Sequence, residues 1–261
     1  MTNRIDNCFA RLRSEKRKGF IPYICAGDPS LDRTVDLAFA LEKAGADILE
    51  LGLPFSDPLA DGIVNQLAAQ RALAAGATTR GVLECVSTIR KQSKIPIVLY
   101  TYLNPIFQFG LAEFHRAAEI AGVDGLLILD LPPEEDVDLP AGNLIHIRLI
   151  APTTPPDRVA AIAKGAKGFL YYISREGVTG ARDTIAASLP EHIASLRKLT
   201  PLPIAVGFGI SGPKQAREVA NHSDAIVVGS AIVDLIARHG DSSIDKVSAF
   251  ARSIAEATRA I

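Results

Sequence analysis

Short apolar runs alternate with amphipathic stretches from one end of the chain to the other. The runs Phe20–Ala26, Asp47–Leu51, Pro96–Tyr100, Gly125–Asp130, Leu144–Ile150, Gly168–Ile173, Pro203–Gly207 and Ala225–Gly229 read as strands. They are nearly continuous in apolar residues rather than alternating, as parallel strands covered on both faces should be. Helical spacing fills the gaps. Leu31, Val35, Ala38 and Phe39 recur on one helix face, and Asp28-Pro29-Ser30 offers that helix a start. Three helices are expected to end alike, at Gly45, Gly122 and Gly165, each glycine supplying a left-handed residue just before the next strand. Eight strands with intervening helices in a chain of 261 residues predict an α/β fold, a (β/α)8 TIM barrel. A doubly wound open sheet is the alternative, but no G-x-G-x-x-G follows the first strand. The segment 2–18 predicts an extra N-terminal helix and the segment 243–261 an extra C-terminal helix. No linker or low-complexity stretch interrupts the chain, so residues 1–261 read as one domain. One unit is short: Pro132, Pro133 and Pro140 leave the helix after the fourth strand barely two turns.

Composition narrows the function class. Hydrophobic residues make up 48% of the chain, and 28 basic against 29 acidic residues give a net charge of −1. With no basic stripe, nucleic acid and anionic membranes are not expected partners; the run Arg11–Lys18 reads as the solvated face of the first helix. No apolar signal core and no uninterrupted apolar stretch of about 18 residues is present, so a cytoplasmic enzyme is expected. Cys8, Cys25 and Cys85 are scattered and form no disulfide framework or CxxC pair.

The chemistry of such a barrel lies where strands end and the following loops begin. Glu50 stands in the apolar run Ile48-Leu49-Glu50-Leu51, where a carboxylate is costly unless paired or functional. Asp61 follows on a loop carrying Gly52, Pro54, Ser56, Asp57 and Pro58. Two carboxyl groups facing one pocket suit acid–base work with divided roles. Gly207-Phe208-Gly209 and Gly229-Ser230 follow the seventh and eighth predicted strands, the usual phosphate site of a barrel; tight turns are the plainer reading of those glycines. The segment Arg175–Gly180 reads either as a lid or as an ordinary exposed loop. The five histidines do not pair at metal-ligand spacing, and His146 reads as structural. No G-x-S-x-G elbow and no lysine at the end of predicted strands five to seven is present, so neither a hydrolase triad nor a Schiff-base lysine is expected.

The run Glu50-Leu-Gly-Leu-Pro-Phe-Ser-Asp-Pro-Leu-Ala-Asp-Gly62 resembles the signature of the tryptophan synthase alpha chain family. Gly27-Asp-Pro29, Tyr102, Ser174–Gly180, Gly207–Ser211 and Gly229–Ile232 follow in family order, and the likeness spans essentially the whole chain. The resemblance implies a cofactor-free lyase that cleaves indole-3-glycerol phosphate to indole and glyceraldehyde 3-phosphate. It implies Glu50 as general acid/base and Asp61 as the group that holds the indole N–H. It implies substrate contacts from Tyr23, Tyr100, Tyr102, Leu127, Tyr171 and Thr179, the last orienting Asp61 as the lid closes. Phosphate contacts are implied for Gly180, Gly207, Phe208, Gly209, Gly229 and Ser230. A β chain carrying pyridoxal phosphate is the implied partner, in an α2β2 assembly, with Pro54, Asp57 and Arg175 at the communicating loops. Asn65 stands where an apolar pocket residue is usual, Tyr23 where phenylalanine is common and Tyr100 where leucine is common. A weakened subunit that mainly activates the β chain, a free-standing lyase and another phosphate-binding barrel are the competing readings.

Overall fold

The computed structural model describes residues 3–138, 142–173, 188–207 and 209–259. Among them the first half of the chain runs α1 (Arg4–Ser14), β1 (Gly19–Cys25), α2 (Leu31–Ala44), β2 (Leu49–Gly52), α3 (Ile63–Ala74), α4 (Thr79–Arg90), β3 (Ile97–Thr101), α5 (Leu103–Phe109), α6 (Leu111–Ala121) and β4 (Gly125–Ile128). The second half runs β5 (Ile145–His146), β6 (Arg148–Ile150), α7 (Pro156–Gly165), β7 (Leu170–Ile173), α8 (Leu189–Arg197), β8 (Ile204–Gly207), α9 (Pro213–Ala220), β9 (Ala225–Val228), α10 (Ser230–His239) and α11 (Ser243–Arg259).

All strand pairings are parallel, in the order β5-β4-β3-β2-β1-β9-β8-β7-β6. The expected barrel is present, with one correction. The predicted fifth strand, 144–150, is two short strands separated by Ile147. Its first half pairs with β4 and its second half with β7. The amide of Ile147 still bonds Leu126 O at 2.8 Å before the chain turns toward β7. Counted as one stave, β5 and β6 bring the ring to eight. The short unit after β4 is a 3-10 turn, Pro133–Asp138, as its prolines predict.

Two apolar layers hold the ring together, and the two-residue period of the strands sorts side chains between them. Phe20 and Ile24 face outward with Leu49, Leu51, Ile97 and Leu99 against the helices. Ile21, Ile48, Val98, Leu127, Phe169 and Ala205 face inward. The extra helix α1 closes the lower end of this interior. Ile5, Cys8, Phe9 and Leu12 recur at helical spacing and join the inner cluster, and Phe9 meets Phe169 at 5.5 Å. Asn3 caps α1 through the Ile5 amide. The other extra helix, α11, packs on α2, α9 and α10. The three cysteines are buried and free.

Three aspartates recur just before strands, and each binds the neighbouring strand. Asp47 accepts from Phe20 N, Asp124 from Ile97 N and Asp224 from Ile204 N. All three also pair with arginines, Asp224 with Arg197 at 3.0 Å. Asp47 receives both Arg17 nitrogens at 2.9 and 2.8 Å, and Asp124 receives Arg90 at 2.7 Å and Arg4 at 2.8 Å. All three lie at the end opposite the strand C-termini, where fixed residues serve stability.

The glycine expectation holds at two of three helix ends. Gly45 (φ 110°) and Gly122 (φ 92°) are left-handed caps. Gly165 is instead the last residue of α7, capped by the extended Ala166. The left-handed residue comes later, at Gly168 (φ 71°), where an added Cβ would press on the Ile145 side chain.

Candidate active site

A cavity of about 820 Å³ opens at the C-terminal ends of the strands. Glu50 and Asp61 both line it, although one belongs to β2 and the other to the loop before α3. Glu50 is 2% exposed and Asp61 6%. Among the described residues no donor bonds the Glu50 carboxyl. Burial, with the nearby Asp61 charge as the smaller cause, pushes Glu50 up to about 8. Burial therefore favours the neutral acid form of Glu50.

Asp61 has a different environment. Tyr100 Oη donates to Oδ1 at 2.8 Å, Tyr102 Oη to Oδ2 at 2.9 Å, and Asn65 Nδ2 to Oδ1 at 3.4 Å. Burial pushes Asp61 above its ordinary value, and these three bonds oppose that shift. The Tyr102 hydroxyl also accepts from Ala60 N at 3.0 Å, which ties the loop to the end of β3. The two carboxyl groups are thus differentiated: among the described residues Glu50 has no hydrogen-bond donor and its neutral form is favoured, whereas Asp61 is bonded on both oxygens.

Tyr23, Tyr100 and Tyr171 line the cavity, and Tyr23 packs edge-on against Tyr100 with centroids 5.1 Å apart. Tyr102 reaches Asp61 through its hydroxyl. Leu127 lies within the buried barrel interior, beneath the mouth. The apolar wall is supplied by Leu129, Leu149, Ile173 and Val227. These four were missed because an apolar residue at a strand end reads the same whether it faces a core or a pocket.

Gly207, Gly209, Gly229 and Ser230 meet at the same cavity, and Ser230 begins α10. Backbone amides at a helix start with glycines beside them fit an anion. Ser211, Gln215, Asp234 and Arg238 also face this region and were not anticipated. Gln215 Oε1 accepts from both the amide and the hydroxyl of Ser211, and Arg238 is ion-paired with Asp234. Arg175, Thr179, Gly180 and Phe208 lie outside the described residues. Pro54 is buried and Asp57 exposed on the loop after β2, where Asp57 accepts from Ser56 Oγ; neither lines the cavity.

The histidine reading changes in one respect. The fold stacks His115 on His146 with Nε2 atoms 3.4 Å apart. Burial, helped by His115, lowers His146 to about 4, which favours its neutral ring. Among the described residues no cluster of three metal-ligating side chains occurs.

Gly52 is required by a close approach. A Cβ there would overlap the Tyr23 ring and hydroxyl. Gly52→Ala is expected to lower stability by about 1–3 kcal/mol through this overpacking. Thermal unfolding checks this; an unchanged Tm would mean that the Tyr23 ring swings clear.

The family model for "Tryptophan synthase alpha chain" matches residues 9–261. A tryptophan synthase alpha chain of Opitutus terrae is 49% identical over 257 residues, covering 97% of this chain and 96% of the relative. The tryptophan synthase subunit alpha structure from Legionella pneumophila superposes with a TM-score of 0.89 at 38% identity, over the full length of both chains. A chain of tryptophan synthase from M. tuberculosis gives a TM-score of 0.89 at 29% identity over 99% of each chain.

Proposed function

The chain belongs to the tryptophan synthase alpha chain family, lyases that cleave indole-3-glycerol phosphate in tryptophan biosynthesis, and from that premise we propose that Glu50 and Asp61 carry the cleavage here. The observation that supports this most directly is the unequal pair: a buried, unbonded Glu50 beside an Asp61 held by three donors.

Protonated Glu50 delivers its proton to indole C3. The ring becomes an indoleninium ion, and its N–H bonds to Asp61, whose negative charge offsets the positive charge on nitrogen. Glu50, now a carboxylate, takes the proton of the glyceryl hydroxyl. The bond from C3 to the glyceryl carbon breaks, its electron pair returns to the ring, and the hydroxyl oxygen becomes the aldehyde oxygen of glyceraldehyde 3-phosphate. One proton leaves Glu50 and one returns, so no cofactor enters the balance. Tyr23, Tyr100 and Tyr171, with the aliphatic wall, enclose the indole. Gly207, Gly209, Gly229 and Ser230 bind the phosphate, and Thr179, Gly180 and Phe208 complete the site by resemblance.

The partner is a β chain, which uses pyridoxal phosphate to consume the indole in a cytoplasmic α2β2 assembly. Leu59 (88% exposed), on the same loop as Pro54 and Asp57, and the exposed Ile63 and Phe107 offer apolar surface. Among the described residues no helix is long and apolar enough to cross a membrane.

The test is indole release from indole-3-glycerol phosphate by the purified chain, with and without a β chain. Slow release that rises at least tenfold with the partner is the expected result (~1.4 kcal/mol of barrier). Stimulated β-chain activity with no indole release in either condition would instead identify a regulatory subunit.

A further inference from the structure

We propose that Tyr100 is a positioning residue for Asp61: its hydroxyl acts with that of Tyr102 to fix the carboxylate in the plane and the charge state that receive the indole N–H. The inference rests on the role given to Asp61 above. It is carried by the bonding on the two oxygens, one held from within β3 and the other from just beyond its end.

Asp61 sits on a loop, and a loop side chain is only as fixed as its partners. Asn65 is a poor anchor. Its bond is long at 3.4 Å, and it follows Asp61 on the adjoining helix, so the two move together. Its other end gives nothing back: among the described residues Asn65 Oδ1 is buried without a hydrogen-bond partner. Tyr100 differs because it belongs to the barrel itself. It pairs with Gly52 of β2 and Leu127 of β4, and its ring rests edge-on against Tyr23.

Two hydroxyls, one per oxygen, stop the carboxylate from rotating about its Cβ–Cγ bond. A carboxylate has about four acceptor positions. Tyr100 and Asn65 occupy Oδ1, and Tyr102 occupies one position on Oδ2. Among the described residues one position on Oδ2 stays open, and it is the one offered to the indole N–H.

The charge of Asp61 also depends on these donors. The groups facing it are Glu50 of β2, Tyr23 and Cys25 of β1, Tyr171 of β7, and Tyr100 and Tyr102 from β3 and its end. None is a cation, and among the described residues no arginine or lysine acts on Asp61. Burial holds the Tyr100 phenol well above its ordinary value, so it remains a donor through the working pH range.

Tyr100→Phe keeps the ring and its packing and removes only the hydroxyl. The expected result is a fall of about tenfold in kcat/KM. The acid limb of the kcat/KM–pH profile should move to higher pH, because Asp61 takes up a proton more readily without that bond. Asp61→Asn is measured alongside, then combined with Tyr100→Phe. If Asp61→Asn lowers kcat/KM on the order of a hundredfold, by the loss of a charge-stabilising group, the role of Asp61 stands. In that background Tyr100→Phe should then have no further effect. Wild-type activity in Asp61→Asn would overturn the reading of Asp61 itself. Loss in Asp61→Asn with an unmoved acid limb in Tyr100→Phe, or an undiminished Tyr100→Phe effect in the double variant, would overturn the role of Tyr100 alone.

Discussion

Glu50→Gln is expected to lower kcat for indole release by about 10³-fold, within the range of roughly 10²–10⁴ for loss of a general acid–base group. The amide fills the same space but has no proton to deliver to C3 and cannot accept one from the hydroxyl. Affinity for an uncleavable indole phosphate should change little, because no donor among the described residues bonds the Glu50 carboxyl. A kcat within tenfold of wild type would sink the assignment. In the wild type, kcat/KM should decline as pH rises above about 8, where burial no longer keeps Glu50 protonated. The same variant should be more stable than wild type in alkali. The folded pKa lies above the unfolded value of 4.5, so the folded state binds this proton more tightly. The stability it confers is fully present below pH 4.5 and is lost as pH rises through about 8. Glutamine has no such loss. At about 1.4 kcal/mol per pKa unit, the rise from 4.5 to about 8 gives Glu50→Gln an advantage on the order of 5 kcal/mol at pH 9. A stability difference that is flat with pH would show that the carboxyl is not held neutral.

Asp124→Ala should destabilise the fold by about 3–5 kcal/mol, the cost of leaving partly buried charges without their partner. Asp124 is nearly inaccessible and holds Arg90 at 2.7 Å, Arg4 at 2.8 Å and the Ile97 amide at 2.8 Å. Alanine strands the mostly buried Arg90 and leaves a β3 amide without its acceptor. Urea unfolding would read this as a lower midpoint at unchanged slope. Asp241→Ala provides the contrast. Asp241 is 78% exposed and meets Arg33 at 3.3 Å, so its removal should alter stability by no more than about 0.5 kcal/mol. A loss of under about 1 kcal/mol in Asp124→Ala would mean that Arg4 and Arg90 find water instead.

The strand content was legible because parallel staves buried on both faces leave continuous apolar runs, and Phe20–Ala26 or Ala225–Gly229 can hardly be read otherwise. The break at Ile147 was not, because it depends on which neighbour each half pairs with. Gly45 and Gly122 announced their helix ends, whereas the same local pattern at Gly165 gave no hint that the left-handed turn waits until Gly168. At the site, Glu50 was legible from the conflict between its charge and its apolar neighbours. Asp61 followed from its place in the next loop. Tyr100 looked like a departure because a sequence shows which residue stands at a position but not that its hydroxyl reaches a carboxylate thirty-nine positions earlier in the chain. Of the three aspartates before strands, Asp47 and Asp124 each stand two residues after a helix-ending glycine, whereas Asp224 does not. Their bonds to the neighbouring strands required the fold.

The divided stave gives the ring a built-in expansion joint. Seven staves are continuous, whereas β5 grips only β4 and β6 grips only β7, with Ile147 between them. No single ladder therefore ties β4 to β7 through this stave: the chain itself, at Ile147, is the link between the two pairings. The joint lies next to β7, whose upper end leads toward position 174. At the opposite end, Asp47, Asp124 and Asp224 pin β1, β3 and β8. The barrel is thus pinned before β2, β4 and β9, and its one change of pairing partner stands at Ile147, in the inner apolar cluster beneath the mouth.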